Sequence, residues 1–275
     1  MFRLGIGSYT FGWASGAYSS KEISSSRSIP CLSSEDLIDK AVSLGVQVVQ
    51  ICDRPALHEL SSDQIRSLAD HARRHGIEIE VGTTGTDPDH LNRYVEIAQQ
   101  LNSHLLRTLM GEPTKGFAEE GRHLAGLIPA LERADVVLAI ENHERYSCHD
   151  LARLVRRLSS ARIGVCLDTV NSLGRGEGVR EVVETLMPNA RCLHVKDFAA
   201  VRGSANMGFS IVGAIAGRGR LDIPAQLSAY LKAYPSGSVI LEQWTPFGAN
   251  LEESIRLQED WAREGLRYLK GLSLS

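Results

Sequence analysis

Short apolar runs alternate with longer amphipathic stretches along almost the whole chain. The apolar runs fall at 4–9 (LGIGSY), 46–51 (VQVVQI), 77–81 (IEIEV), 104–109 (HLLRTL), 136–141 (VVLAIE), 163–168 (IGVCLD), 191–195 (RCLHV) and 238–242 (SVILE). Each is too short for a helix and rich in β-branched residues or leucine, which predicts a buried strand. Helical patterns fill the intervals at about 33–45, 61–76, 88–101, 118–134, 149–158, 178–187, 223–233 and 250–270. Segments 33–45 and 61–76 open on serines followed by acidic residues and stop at Gly45 and Gly76. That is the chemistry of a capped helix start and a glycine stop.

Eight strand–helix units imply parallel strands joined by helical crossovers. Over 275 residues they fit an α/β fold, a single (β/α)8 TIM barrel spanning 1–275. An open sheet for a dinucleotide should carry GxGxxG after its first strand, whereas this chain continues SYTFGWASG. The serine-rich stretch 19–28 reads as a loop or lid after the first strand. The segment 197–222, with glycines at 203, 208, 213, 217 and 219, reads as a second large loop on the same face.

Composition narrows the function classes. A hydrophobic share of 43% with 23% charged residues suits a soluble globular protein able to bury a core unaided. A net charge of −3 supplies no field for nucleic acid. No run approaches the roughly 20 apolar residues a membrane span needs, and the N-terminal MFRLGIGSYTFGW lacks an apolar signal core. Cysteines at 31, 52, 148, 166 and 192 form no close pairs, so a reducing, cytoplasmic setting is expected, with Cys52, Cys166 and Cys192 as small buried hydrophobes.

In a barrel of this kind reactive groups sit where strands end, at the C-terminal face. The fifth, sixth and eighth strands end in Glu141, Asp168 and Glu242, and the seventh carries His194 near its end. Any one of them alone is as readily a loop cap or a surface ion pair. Together they place three carboxylates in one mouth, which costs several kcal/mol per ion, in order of magnitude, unless a cation neutralises them. Three oxygen donors and one imidazole suit one divalent metal ion, Mn²⁺ foremost, with Mg²⁺ or Co²⁺ next and Zn²⁺ less well. Residues two along a strand share a side, so His143, Lys196 and Trp244 should face the same mouth. Lys196 either holds or protonates substrate or pairs with a carboxylate such as Asp197. Trp244 either stacks on a sugar or packs in a loop. Arg107 either clamps a substrate anion or pairs with Asp53 or Glu80. Asp53 and His58 follow the second strand and are candidates for the mouth; His71, His75 and His90 read as surface helix residues, and Cys148 and His149 as a turn and helix start.

The runs AIENHE, CLDTVN, LHVKD and LEQW resemble the sugar isomerase/epimerase group of xylose isomerase-like barrels, whose more distant members include tagatose/psicose 3-epimerases and AP endonuclease IV. The resemblance implies a metal held by Glu141, Asp168, His194 and Glu242, with Glu141 and Glu242 as acid and base on either face of the substrate. Asn171 in DTVN departs from the histidine frequent there; an amide can bind a hydroxyl but is no base near neutral pH. The leading expectation is a metal-dependent isomerase or epimerase of a small keto sugar, working through an enediolate, with dimers or tetramers implied by the resemblance. GIGSYTFGW, QICD and LLR are similar to 3-oxo-isoapionate decarboxylases of the same barrel family. They make the alternative a carboxy-lyase in which Arg107 or Lys196 binds the carboxylate; β-elimination of 3-keto-glycosides is a related option. DNA repair of the endonuclease IV kind needs more histidines than this acidic chain offers, and a purely binding role predicts a mouth closed by packing.

Overall fold

A computed structural model describes residues 2–18, 31–112, 114–203 and 207–273. The strands are β1 (Arg3–Gly7), β2 (Val48–Cys52), β3 (Glu78–Gly82), β4 (Leu105–Leu109), β5 (Val137–Glu141), β6 (Ile163–Asp168), β7 (Ala190–Val195), β8 (Asp197–Arg202), β9 (Phe209–Ala214) and β10 (Ser238–Leu241). β1 through β7 and β10 close into a parallel barrel, sealed where β1 pairs with both β10 and β2. The structure is therefore a single (β/α)8 barrel. A short turn, α1 (Gly12–Ser15), precedes the eight outer helices α2 (Ser34–Leu44), α3 (Ser62–His75), α4 (Pro88–Gln100), α5 (Phe117–Ala134), α6 (Cys148–Leu158), α7 (Val179–Leu186), α8 (Ile223–Ala233) and α9 (Leu251–Lys270). Among the described residues no helix is long and apolar enough to cross a membrane.

The helix boundaries follow from their caps. Ser33 and Ser61 accept from the backbone N–H of Asp36 and Gln64, whose side chains return the bond. Gly45 and Gly76 end these helices at φ of 63° and 66°, where a Cβ is strained.

The strand period of two sorts the bore. Val48, Leu105, Ala139, Cys166, Cys192 and Ile240 form one buried apolar cluster inside the barrel, separate from the core between barrel and helices. Two residues further along the same six strands stand Gln50, Arg107, Glu141, Asp168, His194 and Glu242. An apolar floor thus carries a polar layer of six side chains directly above it, at the C-terminal end.

Two expectations change. The first strand stops at Gly7, and Ser8–Phe11 forms a tight 3-10 turn closed by the Gly7 N–H donating to Thr10 Oγ1 at 2.8 Å. The segment 197–222 is not simply a loop, because β8 and β9 pair as an antiparallel hairpin from Asp197↔Ala214 to Arg202↔Phe209. The serine-rich stretch 19–28 lies outside the described residues. The hairpin is pinned at its foot. A Cβ on Gly213 would clash with the Trp244 carbonyl, so only glycine allows that approach. The buried Asp197 carboxylate accepts from the backbone N–H groups of Phe198, Gly217, Gly219, Arg220 and Leu221 at 2.8–3.2 Å.

Replacing Asp197 leaves several of those donors unsatisfied. Asp197→Ala is expected to cost about 3 kcal/mol, lowering Tm by roughly 6–12 °C for a chain of this size. Asp197→Asn should lose about half as much. Thermal and urea unfolding of the three proteins checks this, and equal midpoints would contradict it.

Candidate metal centre

Glu141, Asp168, His194 and Glu242 end on one point above the apolar floor, each with a ligand atom within 4.8 Å of the others. All four are buried. Their strands are neighbours in the barrel, and the registers Glu141↔Cys166 and Asp168↔His194 set the four ends at similar height. Glu242 follows the last residue of β10, yet its N–H still donates to the Val195 carbonyl at 3.0 Å, which holds it in register.

The atoms left open are those a metal needs. Asp168 Oδ1 accepts from the backbone N–H of Val170 and Asn171 at 2.8 and 2.6 Å. Asp168 Oδ2 and His194 Nδ1 are buried without a hydrogen bond. Each lies within ion-pair distance of a group, Lys196 Nζ at 3.0 Å and Glu242 Oε1 at 3.2 Å, but without bonding geometry. The far nitrogen of His194, Nε2, meets Gln50 Oε1 at 2.8 Å. Two fixed cations, Arg107 and Lys196, face four carboxylates, Asp53, Glu141, Asp168 and Glu242. Two negative charges remain before His194 is counted, the charge of one divalent cation. The donor set and its charge therefore fit a divalent metal.

The electrostatics of the cluster reflect that deficit. Burial disfavours the His194 cation, but Glu242 and Glu141 outweigh it and hold the imidazole at about 10. Burial also raises Glu242, yet His194 and Lys196 bring it down to about 2. Glu141 stays above the ordinary carboxylate value because burial exceeds the pull of Arg107 and His194. Burial works against the Lys196 ammonium, and Asp168 and Glu242 keep its pKa well above the usual lysine range.

Around this centre the remaining candidates sort by geometry. Lys196 Nζ lies 2.9 Å from Glu242 Oε2, donates to Asn171 Oδ1 at 3.1 Å and stands 5.4 Å above the Trp244 ring. The lysine thus turns to Asp168 and Glu242, whereas Asp197 is taken up by backbone donors. Arg107 settles between its alternatives too. Its Nε donates to Glu141 Oε2 at 2.5 Å and its Nη1 to the Thr83 carbonyl at 3.0 Å, with Asp53 Oδ2 at 3.4 Å. Glu80 pairs elsewhere, accepting from Gln50 Nε2 at 3.0 Å. Asn171 Nδ2 donates to Glu141 Oε1 at 2.7 Å, so both Glu141 oxygens are engaged. Asp53 sits at φ 54° and accepts from Tyr9 and Thr84. His143 pairs with Glu144, and burial together with the Lys196 charge lowers its pKa to about 4. His58 meets the Tyr94 hydroxyl at 2.9 Å and lies edge-on to His90, which is half-buried and bonded to Thr83 rather than at the surface. His75 is exposed and His71 half-buried against Asp39. Cys148 begins α6.

Sequence reading passed over several contributors. Asn142 locks the end of β6 by accepting from the Asp168 N–H at 2.8 Å and donating to its carbonyl at 3.0 Å. Tyr9, Trp13, Tyr18 and Phe247 form a run of tilted and edge-on ring contacts beside the centre. Lys196, Glu242 and Asp168 all act on the Tyr18 hydroxyl, whose pKa burial raises. The available signal was position, three aromatics just past a barrel strand. Gln50 and Glu80 were visible as polar residues at inward positions of β2 and β3.

Comparison with known proteins accords with this geometry. The profile of the xylose isomerase-like TIM barrel family matches residues 38–272. The 3-oxo-isoapionate decarboxylase of Pectobacterium atrosepticum is 31% identical over 268 residues, covering 97% of this chain and 94% of that protein. Among solved structures, a D-psicose 3-epimerase aligns with a TM-score of 0.71 at 14% identity, covering 98% of both chains. A xylose isomerase-like TIM barrel protein from Mycobacterium smegmatis in complex with magnesium aligns with a TM-score of 0.65 at 14% identity, covering 86% of this chain and 89% of that one.

Burial first, and then the nearby Cys192, push the Glu80 carboxyl up to about 8. A raised carboxyl pKa means the folded state binds the proton more tightly than the unfolded chain. Glu80's contribution to stability is therefore complete below about 4.5, its unperturbed value, and is lost as pH rises through about 8. Glu80→Gln should flatten this fall, so the difference between wild-type and variant unfolding free energies changes between pH 4.5 and 8.5. A constant difference across that window would refute it.

Proposed function

Because this chain belongs to the xylose isomerase-like TIM barrel family, we propose that it is a divalent-metal-dependent lyase that decarboxylates a 3-oxo sugar acid. Likeness to the Pectobacterium decarboxylase along nearly the whole chain supports the substrate class. The observation that carries the reading is the inequality of the two glutamates. Glu141 has both oxygens engaged by Arg107 and Asn171, whereas Glu242 shares its side of the centre with the Lys196 ammonium. Such a site offers one proton donor on one face, not a matched pair.

Glu141, Asp168, His194 and Glu242 would hold the metal, with Mn²⁺, Mg²⁺ or Co²⁺ best suited to three carboxylates and one imidazole. When bound, the ion supplies Lewis-acid stabilisation of negative charge developing on substrate oxygens. The protein's own groups do the rest. The carbon–carbon bond to the carboxylate breaks, its electron pair enters the neighbouring ketone to give an enolate, and CO₂ departs. Lys196 returns a proton to that carbon and regains one from water, so one proton is consumed overall. Trp244 and the aromatic wall of Tyr9, Trp13 and Tyr18 would cover the apolar face of a small sugar chain, and Asn171 and His143 would bind its hydroxyls. Asp53 steadies Arg107. The five cysteines are all unpaired, which suits a reducing compartment such as the cytoplasm.

Epimerisation of a keto sugar is the second reading. It is favoured by Glu141 and Glu242 both lying close to His194 Nδ1, at 3.5 and 3.2 Å, on different strands.

The test uses 3-oxo sugar acids labelled with ¹³C at the carboxyl and Mn²⁺-loaded protein. Stoichiometric ¹³CO₂ is expected, and Lys196→Met should slow its release by about 10²–10⁴-fold, the usual contribution of a positioned acid. Absence of ¹³CO₂, with C–H exchange of ketoses in D₂O abolished by Glu141→Gln and Glu242→Gln, would reject the lyase in favour of the epimerase.

A further inference from the structure

Below the centre runs a buried chain that none of the proton transfers uses. Gln50 and Glu80 are 1% and 2% exposed, close to the apolar floor of the barrel. The Gln50 amide has two unlike ends. Its Nε2 donates to Glu80 Oε2 at 3.0 Å, with Cys192 Sγ at 3.4 Å as a second acceptor. Its Oε1 therefore faces His194 Nε2 at 2.8 Å and also accepts from Cys52 Sγ at 3.3 Å. An amide oxygen can only accept, so Nε2 must carry a proton. The opposite nitrogen, Nδ1, points at Glu141 and Glu242.

We propose that Gln50, oriented by Glu80, is the positioning residue of the metal centre: it fixes the His194 tautomer and ring plane so that the Nδ1 lone pair is presented to the cation. The inference rests on the metal-centre reading above and adds a residue to it. A neutral imidazole free of this contact divides between two tautomers, and the one protonated at Nδ1 cannot ligate. Partners of this kind orient ligating histidines, and their loss typically lowers metal affinity about 10–100-fold. Glu80 acts one step further out, by removing the alternative in which the amide is flipped and presents N–H groups to the ring.

Mn²⁺ binding to the full chain, measured by calorimetry at pH 7.5 after exhaustive dialysis, tests the proposal. Gln50→Met keeps length and volume without a comparable acceptor, and its Kd should rise about 10–100-fold. Gln50→Glu retains an acceptor and should bind more tightly than Gln50→Met. Unfolding midpoints of the metal-free proteins separate this from a structural role, which would move the midpoint and leave Kd unchanged. Independently of any variant, ¹⁵N spectra of Zn²⁺-loaded wild type should show His194 protonated at Nε2 and metal-bound at Nδ1. A wild-type chain that binds no Mn²⁺ overturns the metal centre and this inference together. Wild-type binding with Gln50→Met equally tight, or metal bound at Nε2, overturns this inference alone.

Discussion

Six strands each place an apolar residue and then, two positions on, a polar one inside the same closed bore. Val48, Leu105, Ala139, Cys166, Cys192 and Ile240 exclude water from below, and the layer above them gathers charge that the protein cannot leave uncompensated. Desolvating an ion costs several kcal/mol, in order of magnitude, even after relaxation. Arg107 and Lys196 answer half of the four carboxylate charges. The shortfall shows in the His194 pKa, which Glu242 and Glu141 raise, and in Asp168 Oδ2, which has no hydrogen bond. A divalent cation at this point would supply the missing positive charge. Asn171 and the backbone of residues 170 and 171 fix the Glu141 and Asp168 carboxylates, while Asn142 holds the Asp168 backbone.

The two cations differ in how they answer the charge. Arg107 reaches from β4 to Glu141 and Asp53 and also donates to a backbone carbonyl, so three loops and strands depend on its planar fork. Lys196 makes rotatable single-point contacts to Asp168, Glu242 and Asn171. A group held that way can give up a proton and recover it without dismantling the barrel.

Much of this was legible in the linear pattern, for a physical reason. Strand ends in a parallel barrel all project to one face, so Glu141, Asp168, His194 and Glu242 could be aligned by period alone. The partners of Arg107 and Lys196 could not, because both side chains are long and flexible and several carboxylates lay within reach. Strand geometry put Lys196 at the mouth, but only the packed structure shows Asp197 occupied by the 217–221 backbone and Asp168 open. Gln50 was overlooked because its link to His194 joins residues 144 positions apart, which no local pattern encodes. The hairpin escaped notice because the glycines at 203, 208 and 213 weigh toward a loop, while the alternation of FAAVR and FSIVGA is too weak in large apolar residues to outweigh them.

Among the described residues β8 and β9 pair as strands only with each other. The hairpin's outer end carries exposed apolar residues, with Phe209 at 74% exposure and Met207 at 84%. Exposed apolar strand ends of this sort are where foreign strands add and where concentrated solutions begin to precipitate. Handling of the protein at high concentration therefore turns on the exposed end of a short ribbon whose foot stands beside the charged centre, and a lysine in place of Phe209 would help to keep it dispersed.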